Sequence, residues 1–208
     1  MFNYLATEFV DIFSYFNLFN YITFRTGAAI LTSLFFSLIF GKFIINKLIS
    51  FQPIGQPIRK DGPEKHIIEK AGTPTMGGVL ILSSMTISLF LWADLSNKFV
   101  WICFFSSIIF GLIGFYDDFQ KVKYQNHKGI KASTRLLLQT FFSFIILYFI
   151  MNAIPNNIST TISFPFFKNL IIDFGFFYFF IGIFIIIGSA NAVNLTDGLD
   201  GLAIVPVM

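Results

Sequence analysis

The stretch 98-KFVWICFFSSIIFGLIGFYDD-118 decides what kind of fold this chain adopts. Residues 98–116 are almost all apolar, and two carboxylates, Asp117 and Asp118, follow them at once. A helix needs about 20 mostly apolar residues to cross the hydrocarbon core of a bilayer. The stretch therefore predicts a membrane-spanning helix that ends in a pair of acids.

The composition of the whole chain agrees with a membrane protein. Of its 208 residues, 55% are hydrophobic, 12% are charged and 31 are phenylalanine. A soluble domain carries about 25% charged residues, so this composition excludes a soluble globular domain and a disordered chain. The one cysteine, Cys103, lies inside the apolar run, which excludes an intrachain disulfide. The net charge of +3 is too small to indicate nucleic acid as a partner.

Four further apolar stretches meet the same length test. They are 26–47, 76–96, 134–154 and 170–190. We therefore predict an all-α, polytopic transmembrane helical bundle: one integral membrane domain over 1–208, with about five spans and the start of a sixth. Residues 1–22 contain Glu8 and Asp11 among many aromatic side chains, which is typical of a segment that lies in the membrane interface.

The basic residues predict the orientation of these spans. Eleven of the 14 Lys and Arg residues lie between spans one and two or between spans three and four, edges included. Positive charge is retained on the cytoplasmic side of a membrane. We therefore predict that loops 48–75 and 117–133 are cytoplasmic and that the N-terminus is outside.

The Asp117–Asp118 pair is the strongest candidate site. Acids at the end of a membrane helix are costly to desolvate and are functional candidates by default. Mg²⁺ prefers hard oxygen ligands, commonly one or two carboxylates plus substrate phosphates. Adjacent helical residues point about 100° apart, so one carboxylate could hold a metal while the other faces a reacting group. The alternative is a charged helix end, with Lys121 as the i,i+4 partner of Asp117.

The stretch 70-KAGTPTMGG-78 is a second polar segment on the same predicted face. Thr73, Thr75 and the backbone N–H groups at the start of the next span suit an anion, and Gly77 and Gly78 let a ligand approach the backbone closely. Lys70 adds a positive charge for a phosphate. A solvated loop is the alternative.

A third segment, 191-NAVNLTDGLDG-201, has a polar residue at every third position, and these lie near one face of a helix. They are Asn191, Asn194, Asp197 and Asp200. Amides and carboxylates can recognise a base edge or ribose hydroxyls. A metal site and inward packing in a bundle are the alternatives.

Together these segments resemble the phospho-N-acetylmuramoyl-pentapeptide transferases, a branch of the polyprenyl-phosphate sugar-1-phosphate transferases. The similar stretches are 55-GQPIR-59, 61-DGP-63, 70-KAGTPTMGG-78, Asp117-Asp118 with Lys121-Val122, and 191-NAVNLTDGLDGLAIVP-206. Two local departures, Lys60 and Gln120, fall on residues without an assigned role.

The resemblance implies an enzyme of the bacterial inner membrane, with its active site on the cytoplasmic face. It would transfer phospho-N-acetylmuramoyl-pentapeptide from its UDP-linked form to undecaprenyl phosphate, giving lipid I and UMP in peptidoglycan synthesis, with Mg²⁺ as cofactor. The implied partners are both substrates, membrane lipid and a second copy of the chain as a homodimer.

The resemblance also implies roles for individual residues. Asp117 and Asp118 would be catalytic and would hold the metal, without a decision on which does which. The implied substrate-binding residues are Lys70, Thr75, Lys121, Lys131, Asn191, Asn194, Asp197 and Asp200. Members of the family continue for several more spans, with a further Asp and a His-rich loop in the same site. We therefore expect a fragment that is inactive by itself.

Two other function classes stay open. A related enzyme that uses UDP-N-acetylglucosamine would keep Asp117 and Asp118 but lack the KAGTPTMGG stretch. A transporter would need charged residues inside its spans to line a path, and the predicted spans contain almost none.

Overall fold

The structure of this protein is a computed structural model that describes residues 2–9, 13–55, 57, 72–126, 129–156, 158–164, 166–167 and 169–196. Contacts between Cα atoms divide the chain into two compact units, Met1–Lys131 and Ala132–Met208. Each unit is predominantly helical over its described residues, which confirms the predicted all-α class.

Over its described residues, the first unit contains five helical elements. They are α1 (Phe2–Phe9), a 3₁₀ helix (Ser14–Asn20), α2 (Ile22–Phe51), α3 (Gly78–Trp92) and α4 (Lys98–Tyr124). Helix α3 packs against both α2 and α4. Asn97 caps α4 by accepting the backbone N–H of Phe99 at 2.9 Å. Gln125 ends the helix in the left-handed conformation, with φ of 47°.

Polar contacts join α2 and α3 within their apolar surroundings. The hydroxyl of Ser88 donates to the carbonyl of Ala29 at 2.9 Å, and the indole N–H of Trp92 donates to Thr32 Oγ1 at 2.9 Å. Such hydrogen bonds stabilise helix pairs in membranes, where the hydrophobic effect does not draw helices together.

The second unit contains α5 (Ala132–Ala153), β1 (Thr161–Ser163), β2 (Ile171–Asp173) and α6 (Phe177–Thr196). Helices α5 and α6 pack together, and Gly182 of α6 lies directly against the buried Leu147 of α5. The strands form an antiparallel ribbon that the sequence analysis does not predict. Beside it, the hydroxyl of Thr160 and the backbone N–H of Gly175 both donate to Asp173 Oδ1. These hydrogen bonds, mainly that from Thr160, hold the pKa of the Asp173 carboxyl below its ordinary value.

The lengths of the helices correct two of the predicted spans. Among the described residues, four helices are long and apolar enough to cross a membrane: Ile22–Phe51, Lys98–Tyr124, Ala132–Ala153 and Phe177–Asn194. The predicted span 76–96 is a helix only over Gly78–Trp92. Its 15 residues reach about 22 Å at 1.5 Å per residue, against about 30 Å of hydrocarbon. The predicted span 170–190 begins late, because a strand and a turn occupy its first residues.

Candidate functional site

The end of α4 places Asp117 and Asp118 around a single positive charge. Lys121 Nζ lies 2.7 Å from Asp117 Oδ2 and 2.9 Å from Asp118 Oδ1. The i,i+4 pairing of Lys121 with Asp117 is therefore present, and Asp118 joins it. Asp117 is only 8% exposed. Two carboxylates sharing one ammonium keep a net negative charge, which favours a further cation.

The second oxygen of Asp117 is bound by the turn that follows α4. The backbone N–H of Ile130 donates to Asp117 Oδ1 at 2.9 Å. Gly129, with φ of 59°, lies so close that a Cβ there would overlap the same oxygen. This turn therefore fixes the direction of the carboxylate, and it requires glycine on two separate grounds.

The second oxygen of Asp118 is bound by Thr75, which precedes α3. Thr75 Oγ1 donates to Asp118 Oδ2 at 2.7 Å. Thr75 is in turn bound by Gln52, whose Oε1 accepts the Thr75 N–H at 3.0 Å and whose Nε2 donates to the Thr75 carbonyl at 3.2 Å. The first unit thus brings together four predicted site residues: Thr75, Asp117, Asp118 and Lys121.

Sequence reasoning missed Gln52, Gly129 and Ile130. A lone polar residue at the end of an apolar helix was the signal for Gln52. A glycine in a loop next to a predicted site was the signal for Gly129. Ile130 contributes only its backbone N–H, so its side chain carries no signal.

In the second unit, Asn191 and Asn194 of α6 both contact α5. Asn191 Nδ2 donates to Gln139 Oε1 and to the Ile187 carbonyl, each at 2.9 Å. Arg135 Nη1 donates to Asn194 Oδ1 at 3.5 Å. Gln139 is 3% exposed, so the amide nitrogen of Asn191 takes part in helix packing, while Asn194 is exposed.

The remaining predicted site residues divide into two groups. Lys131 is exposed immediately before α5. Lys70, Asp197 and Asp200 lie outside the described residues, so their predicted roles stay predictions.

The acid pair suits a divalent cation by its donor chemistry. One oxygen of each carboxylate points at the same cationic atom, Lys121 Nζ. Over the part of the chain that the structure describes, no three His, Cys, Asp or Glu side chains converge. Two carboxylate oxygens directed at one point match how Mg²⁺ is commonly bound, by one or two carboxylates with water and substrate phosphate among its other ligands.

Comparison with known proteins gives two matching segments. Residues 100–208 match the family model described as glycosyl transferase family 4, and residues 70–82 match phospho-N-acetylmuramoyl-pentapeptide-transferase signature 1.

Curated relatives are similar over almost the whole chain. A phospho-N-acetylmuramoyl-pentapeptide-transferase of Rickettsia prowazekii (strain Madrid E) is 53% identical over 191 residues, 92% of this chain and 52% of the relative. One of Pelagibacter ubique (strain HTCC1062) is 48% identical over 204 residues, 98% of this chain and 56% of the relative. The chain thus spans about half the length of the curated relatives that it matches.

Proposed function

This chain belongs to glycosyl transferase family 4, and from that membership we propose that it transfers phospho-N-acetylmuramoyl-pentapeptide from UDP-N-acetylmuramoyl-pentapeptide to undecaprenyl phosphate. One contact carries the proposal. Thr75, within the matched signature, donates a hydrogen bond to Asp118, within the matched family segment. Two segments matched separately therefore meet at one pair of carboxylates. The signature also favours this activity over that of a related UDP-N-acetylglucosamine enzyme.

In the proposed reaction, an oxygen of undecaprenyl phosphate attacks the β-phosphorus of the nucleotide substrate. The bond to the bridging oxygen breaks, UMP leaves with the electron pair, and lipid I forms. Both a direct attack and a covalent aspartyl intermediate agree with two adjacent carboxylates. Phosphoryl transfer depends mainly on positioning and on neutralising charge, and the chain's own residues supply both.

We propose that Asp117 and Asp118 hold Mg²⁺, which would offset the negative charge of the diphosphate. Lys121 carries a compact ammonium with three donors, which suits a phosphate oxygen. The turn at Gly129 and Ile130 fixes Asp117, and Thr75 fixes Asp118. We assign Lys131 to a phosphate contact as well.

We assign nucleotide-sugar binding to Lys70, Thr75, Asn191, Asn194, Asp197 and Asp200. The amide nitrogen of Asn191 is committed to Gln139 and Ile187, so its carbonyl oxygen is the atom we assign to the nucleotide. The apolar helices suit undecaprenyl phosphate, because its polyprenyl chain lies in hydrocarbon while its phosphate reaches the membrane interface.

A direct assay tests the proposed function. The 208-residue chain is compared with a chimaera, which continues residues 1–208 with the remaining part of the Rickettsia prowazekii relative. Each is given undecaprenyl phosphate and labelled UDP-N-acetylmuramoyl-pentapeptide, and labelled lipid and UMP are followed. We expect Mg²⁺-dependent release of UMP with labelled lipid from the chimaera. A chimaera that transfers only from UDP-N-acetylglucosamine would overturn the proposal.

The proposed cytoplasmic site makes a prediction about topology. In a Cys103→Ser background, we expect Ser50→Cys and Lys123→Cys to stay unlabelled by a membrane-impermeant maleimide in intact cells, since positive loops are retained inside. Both positions are exposed in the structure.

Ser96→Cys in the turn after α3 is the matched control. In the proposed topology the 15-residue α3 crosses a locally thinned bilayer, which places Ser96 outside. Labelling is repeated after permeabilisation to show that all three thiols react. Labelling of positions 50 and 123 in intact cells would contradict the orientation and place the site on the wrong face for a UDP-linked substrate.

A further inference from the structure

Gln52 is a buried amide placed immediately after α2. It is 2% exposed, and its backbone N–H remains bonded to the carbonyls of Leu48 and Ile49 in the last turn of that helix. Both ends of its side-chain amide meet the backbone of one residue, Thr75. Because a buried amide is costly unless it is paired, this two-point contact fixes where Thr75 lies relative to α2.

Residues 72–77, the described residues around Thr75, form no helix or strand that would fix its position. Met76 adopts a φ of 70°, which is uncommon for a residue with a side chain. Gly55 lies so close to Gly72 that a Cβ on Gly55 would be 2.7 Å from Gly72 Cα. The position of Thr75 therefore depends on contacts with the end of α2, and Gln52 supplies the hydrogen bonds.

We propose that Gln52 is a positioning residue for Asp118 and that it acts through Thr75. The Thr75 hydroxyl donates to Asp118 Oδ2, which leaves Oδ1 directed at the ammonium of Lys121. Loss of the Gln52 amide releases Thr75, and the carboxylate then loses the donor that sets its rotation. This inference rests on the proposed metal role of Asp118.

Metal affinity tests the proposal without any measurement of transfer. The 208-residue chain is placed in lipid nanodiscs, and Mn²⁺ binding is followed by paramagnetic resonance, with Mg²⁺ as competitor. Residues that orient a metal ligand typically contribute about 10–100-fold to affinity. We expect Gln52→Met and Thr75→Val each to weaken binding by at least about tenfold, and Thr75→Ser to leave it nearly unchanged.

The double variant distinguishes an effect of Gln52 that acts through Thr75 from two independent effects on metal affinity. Gln52→Met combined with Thr75→Val should bind Mn²⁺ no more weakly than Thr75→Val alone, because both changes remove the same hydrogen bond to Asp118. Ser88→Ala is the matched control, since it removes another buried hydrogen bond between α2 and the α3 region. It should lower the midpoint of thermal unfolding and leave the affinity unchanged.

Two results would overturn the positioning role. One is a Gln52→Met variant that loses thermal stability as Ser88→Ala does but binds Mn²⁺ normally. The other is a double variant whose loss of affinity equals the product of the two single losses.

A metal-free measurement distinguishes this inference from the proposed function. If Asp118→Asn does not change Mn²⁺ binding, the metal assignment fails, and unfolding midpoints decide the role of Gln52. The changes in unfolding midpoint caused by Gln52→Met and by Asp118→Asn should then be non-additive when Thr75 is present and additive in a Thr75→Val background. Additivity in both backgrounds would overturn the inference.

Discussion

Replacing Asp117 or Asp118 by asparagine is expected to lower turnover in the transfer reaction by at least about 100-fold. General-base contributions alone are typically about 10²–10⁴-fold, and the loss of a charged metal ligand should cost at least as much. Asparagine keeps the size of the side chain and an oxygen that can still accept from Ile130 or Thr75. The expected loss therefore comes from the missing charge rather than from a collapsed site.

The measurement is formation of labelled lipid by the chimaera, with the midpoint of thermal unfolding recorded for each variant. Asp173→Asn is the matched control, because this exposed acid lies in the β-ribbon and has no assigned role. We expect it to transfer normally. Near-normal rates in both Asp117→Asn and Asp118→Asn would contradict the assignment of the carboxylates.

The apolar runs predicted where most helices lie, but not where each helix begins and ends. Helix α3 ends at Trp92 because Asp94 Oδ1 accepts the N–H and the hydroxyl of Ser96, which forms a turn inside the predicted span. Near its start, the positive φ of Met76 prevents a longer helix. Hydropathy averaged over a window does not locate either turn, because a few polar residues such as Asp94 and Ser96 are outweighed by the apolar residues on both sides of them.

The candidate site was predictable to the extent that it is local. Lys121 follows Asp117 by one helical turn, so spacing alone indicates their ion pair. Thr75 was predicted as part of an anion site, but its hydrogen bond to Asp118, 43 residues along the chain, was not predicted. Gln52 lies 23 residues before Thr75, and contacts at such separations leave no periodic pattern in a sequence. Their detection required the packing of α2, α3 and α4.

Gly129→Ala is expected to lower turnover by about 10–100-fold, since a displacement of about 1 Å at a reacting group can cost about 100-fold. A Cβ at this position would overlap Asp117 Oδ1 and lie 3.0 Å from Lys121 Cε. The carboxylate must then rotate or the turn must lift, and either change breaks the bond from the Ile130 N–H. The measurement is again lipid formation by the chimaera, together with Mn²⁺ affinity.

Alanine variants of two other glycines distinguish the overlap with Asp117 Oδ1 from the other effects of adding a methyl group. Gly175 also has a positive φ, 48°, but a Cβ there would meet nothing within 4 Å, so Gly175→Ala measures backbone strain alone. Gly114 lies on α4 one turn before the acids and is equally open, so Gly114→Ala measures an added methyl on the same helix. Both controls should keep normal turnover, while Gly175→Ala and Gly129→Ala both lower the unfolding midpoint. If Gly129→Ala lost only stability, the contact with Asp117 would have no part in the reaction, and the turn would serve only to end α4.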